Sequence, residues 1–457
     1  MSLELALRGG LLGGVGVAVD LGIDQGKIVQ IGGSFEAQRE IDARGKPVLP
    51  GGVDAHVHLS NPVRRKGEPA WVDDFTSGSA AALAGGITTV GNMSFPLPDE
   101  LPLATLERET ALASAQAIAD VFLHPVLGLV SRATLEQLAR LPEHGCSSIK
   151  IFLPNTRFDA GVGAFLQAIR VAGASGLMTM LHCEDQALID HATGRLVEAG
   201  QTSLRHYGAS RPVLAEVVAT QRAVAFAEAT GSPVYIVHLS SQRALDVCVE
   251  ARARGVPVYV ETRPLYLHLT DERLLEEESG RYVGQPPLRT AADVDALWAG
   301  LASGAISTVC TDHAPWSLAA KLDPALNVSN LRPGVENLQL MLPMLYSEGV
   351  RNGRISLERF VALTSGNAAR LFGLYPRKGS IAVGSDADVV VLDPELTRTV
   401  RADMLHSNAD YSVYEGWQVT GWPVLTVRRG ELVYEHDRVV GTPGSGHVLP
   451  CGPAGRL

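Results

Sequence analysis

His56 and His58 lie in the run Leu-Pro-Gly-Gly-Val-Asp-Ala-His-Val-His-Leu, residues 49–59, an apolar stretch opened by a Pro-Gly turn. Side chains of an extended strand repeat every second residue, so the two imidazoles project to one side. Two imidazoles held side by side on a rigid strand make half of a metal site. Taken alone, the pair reads more readily as two polar positions on a solvated face than as ligands. Four later positions repeat the setting. Lys150 sits in Ser-Ser-Ile-Lys-Ile-Phe-Leu, His182 in Met-Thr-Met-Leu-His-Cys-Glu, His238 in Val-Tyr-Ile-Val-His-Leu-Ser and Asp312 in Thr-Val-Cys-Thr-Asp-His-Ala-Pro. A single strand-end His is more often a hydrogen-bonded core residue than a ligand; four of them with an Asp and a Lys are not. Lys150 is the odd member, because an ammonium has no lone pair and repels a cation. Burial lowers its pKa and exposes a neutral amine. A neutral amine combines with carbon dioxide to a carbamate, a carboxylate on a long stem that can bridge two cations. A lysine that snorkels to the surface is the plainer alternative.

The elements that would position these groups are legible in the texture of the chain. Residues 3–48 are short apolar stretches punctuated by glycines, among them Val-Gly-Val-Ala-Val-Asp at 15–20, which suggests a small β-domain. From residue 53, β-branched runs alternate with Ala-rich helical stretches. Strands are expected at 53–58, 88–93, 121–126, 148–153, 178–182, 234–239, 256–261 and 306–312. Helices are expected at 77–84, 134–141, 214–229, 241–254 and 292–301. Continuous apolar strands separated by helices are what a closed parallel barrel requires. An open doubly wound sheet is the alternative, but no Gly-x-Gly-x-x-Gly opens a helix after the first strand. Residues 356–371 read as helix, and β-texture then returns through 378–392, 422–428 and 431–435. The expected fold is therefore α/β, a (β/α)8 TIM-type barrel at 51–375 inserted in a small β-sandwich domain built from residues 1–50 and about 376–440. Residues 441–457, rich in Gly and Pro, form a tail that is either mobile or ordered on a neighbouring subunit.

With 457 residues, 46% hydrophobic and 19% charged, the chain can bury a large core. Its formal net charge of −10 argues against nucleic acid or an anionic membrane as partner. Neither a signal peptide nor a membrane span is evident. Five widely spaced cysteines without a CxxC pair read as reduced thiols of a cytoplasmic protein. Of 13 histidines, His124 is the nearest competitor for a site role, since it too falls in an expected strand.

Together His56-Val-His58, Lys150, His182, His238 and Asp312 resemble the metal-ligand signature of the amidohydrolase superfamily, in its cyclic amidohydrolase branch of dihydropyrimidinase (D-hydantoinase), allantoinase and dihydroorotase. The likeness runs almost end to end, through Pro50-Gly-Gly-Val-Asp-Ala-His-Val-His, Gly85-Gly-Ile-Thr-Thr-Val, Pro286-Pro-Leu-Arg289, Pro333-Gly-Val-Glu336 and Lys378-Gly-Ser-Ile-Ala-Val-Gly-Ser-Asp-Ala-Asp. The resemblance implies two divalent cations, with zinc the expected metal. His56, His58 and Asp312 would hold one, His182 and His238 the other, with N6-carboxylated Lys150 bridging. It also implies Asp312 as proton shuttle, a small-molecule cyclic ureide or imide as substrate, and a homotetramer or dimer. His313 is expected to point away from the metals.

The choice of ring rests on residues outside the metal ligands. Ser60 stands where dihydroorotases carry an Arg for the substrate carboxylate, which argues against dihydroorotate. Trp71-Val-Asp-Asp-Phe75 and Asn408-Ala-Asp-Tyr-Ser-Val-Tyr-Glu-Gly lean toward the hydantoinase type. Asn330 matches a residue that holds the cyclic imide there. Asn155 departs from that pattern, standing where hydantoinases carry a Tyr that donates to the oxyanion; Gln285 stands where a Ser is usual. Asn155, Gln285 and Asn330 are the expected substrate contacts. Allantoinase is the alternative activity, and a non-catalytic scaffold the alternative class.

Overall fold

Two parallel sheets occupy the middle of the chain, and their strands are the β-branched runs expected from the sequence. Gly52–Val57, Ile87–Ser94 and Asp120–Pro125 form one sheet; Ser148–Phe152, Met178–His182, Val234–Ile236, Val258–Thr262 and Thr308–Val309 form the other. The computed structural model describes residues 2–13, 17–60 and 68–457, so the Val-Gly start of the 15–20 stretch lies outside the described residues. Nearly every strand position is buried, as in sheets covered on both faces. The alternation sorts the side chains. Met178, Met180, Tyr235, Val237, Phe122 and Cys310 meet in one cluster between the strands. Ile149, Ile151, Leu181, Ile236 and Val260 face outward against the helices. Among those helices are Phe75–Ala84, Pro102–Gln116, Val162–Ala174, Val213–Thr230, Gln242–Ala253 and Ala291–Ser303. The two sheets touch at both edges, through parallel bridges of Val126 with Lys150 and of Val57 with His313.

Strands from both ends of the chain share a third, nine-stranded sheet. Pro47–Pro50 pairs antiparallel with Val389–Thr399, Leu49 opposite Val390. Leu5, Leu7, Ile23, Val48, Val389 and Val427 fill its core. The stretch expected as one helix at 356–371 is interrupted by a π-type turn at Ala362–Gly366, where Ser365 Oγ donates to the Gly51 carbonyl at 2.6 Å.

The tail at 441–457 is ordered, not mobile. It is held by its own chain, across the N-terminal ends of the parallel strands. Leu449 N donates to Val121 O (2.7 Å), Cys451 N to Gly145 O (2.8 Å) and Ala454 N to Gly176 O (2.8 Å). A Gly/Pro segment cannot build a core, but its backbone can pair with the strand at Val121, bridged in parallel to Val448, and satisfy the loop carbonyls of Gly145 and Gly176. No helix among the described residues is long and apolar enough to cross a membrane.

A buried charge cluster joins the terminal sheet to the parallel one. Lys378 Nζ donates to Asp120 (2.6 Å) and Asp388 (2.7 Å) and lies 3.1 Å from Asp386. Burial works against its ammonium, but Asp388, Asp120 and Asp386 outweigh that and raise its pKa. Removing one partner of such a cluster strands the others in a low-dielectric interior. Lys378→Met is therefore expected to lower the unfolding free energy by about 3–5 kcal/mol in urea titrations. Lys27→Met, which breaks a half-exposed pair with Asp386, should cost no more than about 1 kcal/mol. Equal losses in the two variants would contradict this account of the cluster.

Candidate metal centre

Each chemistry-bearing residue sits at or just beyond the C-terminal end of a parallel strand, or, for Lys150, within one. His56 lies in Gly52–Val57, and His58 follows it. His182 ends Met178–His182, while His238 and Asp312 lie just past Val234–Ile236 and Thr308–Val309. At His238 (φ 37°) and Asp312 (φ 50°) the backbone enters the left-handed region, which non-glycine residues rarely adopt. The turn aims both side chains back over the strand ends. Hydrogen bonds hold it there: Asp312 N donates to His56 O at 2.8 Å, and His238 N to Glu261 Oε1 at 2.8 Å. Strain of this kind persists only where surrounding contacts over-determine it.

The side chains converge. Donor atoms of His56, His58 and Asp312 lie within 4.8 Å of one another, a spacing that can hold a metal ion. Asp312 Oδ1 is 3.0 Å from His58 Nε2 and 3.2 Å from His56 Nε2. The rings of His182 and His238 meet edge to face at 4.4 Å, and His238 stacks on His56 at 5.5 Å. Lys150 Nζ is fully buried without a hydrogen-bond partner. Burial brings its pKa down to about 8, against the pull of Glu261 and Asp312. Burial likewise keeps His56, His182 and His238 neutral, with lone pairs available for a cation. Imidazole nitrogens, a carboxylate and an unpartnered amine form a donor set that fits divalent transition metals better than calcium or magnesium.

Behind these residues stands a layer of charges that the sequence reading did not single out. Glu261 Oε1 lies 2.8 Å from His56 Nδ1, and Glu184 Oε2 lies 2.8 Å from His182 Nε2. Such carboxylates fix the tautomer and orientation of a ligating imidazole. Arg211 grips Glu184 with two bonds, at 3.0 and 2.8 Å. Arg263 Nη1 donates to Asp312 Oδ2 at 2.7 Å. Against the cost of burial, Arg263, His56 and His58 hold the Asp312 carboxyl well below the usual carboxylate range. Glu184 and Glu261 carried a local signal, an acid at the end of an apolar strand run. Arg211 and Arg263 carried none. His313 turns away, as expected, to Asp73 at 2.7 Å. His124 stays in the strand interior, Nδ1 2.5 Å from Ser148 Oγ, apart from the cluster.

A cavity of about 500 Å³ opens above His56, His58, His182, His238 and Asp312, walled by Trp71, Phe95, Leu127, Phe152 and Pro333. Of the three expected substrate contacts, Asn155 and Gln285 line it. Asn155 Oδ1 accepts from Arg157 N at 2.9 Å and caps the helix Thr156–Ala160. Arginine offers only donors, so the Gln285 carboxamide must turn its oxygen to Arg211, 3.0 Å from Nη1. Asn330 corrects the expectation: it is exposed, its backbone paired with Asn327, and it is not among the cavity's walls. The turn between those two asparagines carries it outward. Ser60 is buried and accepts from Asn92 Nδ2 at 2.9 Å.

Comparison with known proteins follows the same line. Residues 48–433 match the model of the amidohydrolase family. The chain is 40% identical over 441 residues to a D-phenylhydantoinase of Escherichia coli O1:K1 / APEC, covering 94% of each. Among solved structures it is similar to a D-hydantoinase (dihydropyrimidinase) from Thermus sp., with TM-score 0.94, 34% identity and coverage of 99% of this chain and 100% of that one. It is also similar to an L-hydantoinase (dihydropyrimidinase) from Arthrobacter aurescens, with TM-score 0.90, 29% identity and 98% and 100% coverage. Matched along nearly its whole length, the chain belongs to the amidohydrolase family, in the cyclic amidohydrolase branch.

Proposed function

We propose that the protein is a metal-dependent hydrolase that opens the amide bond of a cyclic ureide or imide, a dihydropyrimidine or a 5-substituted hydantoin, to a carbamoyl amino acid. The observation that carries this reading is the convergence of His56, His58, Asp312, His182 and His238 beneath an apolar cavity, with unpartnered Lys150 buried nearby. The names of the hydantoinase relatives support the same substrate class. In this reading the two parallel sheets form one closed (β/α)8 barrel over 51–375, supported by their bridges at both edges. Residues 1–50 and about 376–440 form the β-sandwich, and 441–457 the tail.

His56, His58 and Asp312 would hold one divalent cation and His182 and His238 a second, with N6-carboxylated Lys150 between them and zinc the expected metal. Bound there, the cations would supply a water of lowered pKa and polarise the scissile carbonyl. Lys150 suits the carbamate because its amine is partly neutral near pH 8; carbon dioxide adds to the nitrogen and one proton leaves. Asp312 is anionic at neutral pH and has one oxygen pinned by Arg263. Its other oxygen faces the histidines, placed to take a proton from the attacking water and pass it to the departing ring nitrogen. The oxygens of Asn155 and Gln285 are engaged by Arg157 and Arg211. Their amide NH2 groups remain to donate to substrate oxygens. Trp71, Phe95 and Phe152 exclude water and accept an apolar 5-substituent. The same apolar wall disfavours the ureido group of allantoin. A homotetramer, or a dimer, and cytoplasmic residence complete the reading; the five free cysteines suit the latter.

Purified protein should open 5-alkyl- or 5-aryl-hydantoins and dihydrouracil in preference to allantoin and dihydroorotate. Turnover of allantoin alone would sink the reading, and absence of any tightly held divalent metal would favour a scaffold. Lys150→Ala should reduce kcat by at least about 10³-fold, with partial recovery on adding short carboxylic acids that replace the carbamate; full activity without them excludes the bridge. Glu261→Gln should weaken metal retention by about 10–100-fold, read as metal content after dialysis against a graded chelator. Unchanged retention would mean that Glu261 does not tune His56.

A further inference from the structure

Lys321 ends the short helix Leu318–Lys321 and is 1% exposed. Its Nζ donates to three carbonyls: Val283 at 2.6 Å, Arg332 at 2.8 Å and Gly334 at 3.0 Å. An ammonium has three N–H groups and no acceptor, so all of its capacity is used. All three partners are neutral. Burial and the Arg263 cation work against the charge and lower the lysine's pKa, whereas three converging carbonyls favour the ammonium, since a neutral amine has only two N–H groups to donate. An apolar side chain of similar length would avoid that cost. What the ammonium contributes lies in what it joins.

The three carbonyls belong to two segments far apart in sequence. Val283 leads into Gly284 and Gln285, while Arg332 and Gly334 flank Pro333. Gln285, Pro333 and Gly334 line the cavity with Asp312 and Ala314. Gly334 N also donates to Val283 O at 3.0 Å, and Trp316 Nε1 to Pro333 O at 2.9 Å. Gly334 adopts φ 117°, and a Cβ there would lie 2.3 Å from the Ala314 carbonyl, so this segment packs directly on the chain leaving Asp312. The lysine is a tripod from which two backbone segments are hung as one wall.

We propose that Lys321 is a positioning residue for ring opening: without touching substrate, it sets the distance of the Gln285 and Pro333–Gly334 wall from Asp312. This rests on the hydrolase reading of the site. The test compares wild type with Lys321→Met and Lys321→Arg. It follows metal content, kcat and KM on whichever hydantoin or dihydropyrimidine the wild type opens fastest, and backbone amide exchange at 283–285 and 332–334. Lys321→Met should keep its metal while kcat/KM falls by up to about 100-fold, mainly through KM. Exchange should quicken in both segments and stay unchanged in Met178–His182. Arginine keeps the charge, but its planar fork cannot serve three converging carbonyls, so Lys321→Arg should shift the same readouts by less. It carries the test if the Met variant does not fold. Unchanged KM and unchanged exchange in both segments, whatever happens to Tm, would overturn the proposal. A wild type that opens no ring would defeat the hydrolase reading, and the exchange data would still decide whether Lys321 fixes the wall.

Discussion

Asp312 is shared between two cationic or cation-binding neighbourhoods, His56 and His58 on one oxygen and Arg263 on the other. In a water-poor interior a carboxylate cannot be left half answered, because an unpaired charge there costs several kcal/mol. The same requirement spreads outward. His56 is backed by Glu261, and His182 by Glu184, which is in turn held by Arg211. Arg263 and Arg211 keep the Asp312 and Glu184 carboxylates ionised, burial keeps the imidazoles neutral, and the Glu261 carboxyl beside His56 is pushed up by burial to about 7. The low dielectric that makes an error expensive also makes each correct pairing strong.

Rigid strands make this arrangement possible. Parallel strands packed on both faces hold their backbone in place, so a His or Asp at a strand end is directed toward the mouth. Where the strand direction alone would not aim the side chain, as at His238 and Asp312, the backbone bends into positive φ and is held by hydrogen bonds to Glu261 and His56. The substrate wall is less regular. It is made of loops, and loops need ties such as Lys321 and the packing of Gly334 on Ala314.

A second bonded network ties the opposite end. The Lys378 cluster and the C-terminal tail both lie toward the N-terminal ends of the strands, away from the cavity. That separation lets one face of the parallel strands be tightly bonded while the other keeps an open, partly apolar cavity.

Much of this was readable in the chain by itself. Period-two spacing placed His56 and His58 on one side, and apolar runs marked the strands that carry Lys150, His182, His238 and Asp312. These are local properties, set by residue type and the pitch of a strand. The partners were not readable. Arg263 with Asp312, Glu261 with His56 and Lys321 with Val283 join residues distant in sequence, and nothing near either partner announces the other. Asn330 shows the converse: a matching residue type, turned outward by a local pairing with Asn327. The tail, too, took its order from partners distant in sequence, the strand residue Val121 and the loop residues Gly145 and Gly176. Composition and periodicity decided which side chains could do chemistry; only the closing of the strands and loops around them decided which charges would meet, because hydrogen bonds and ion pairs depend on distances that sequence separation does not encode.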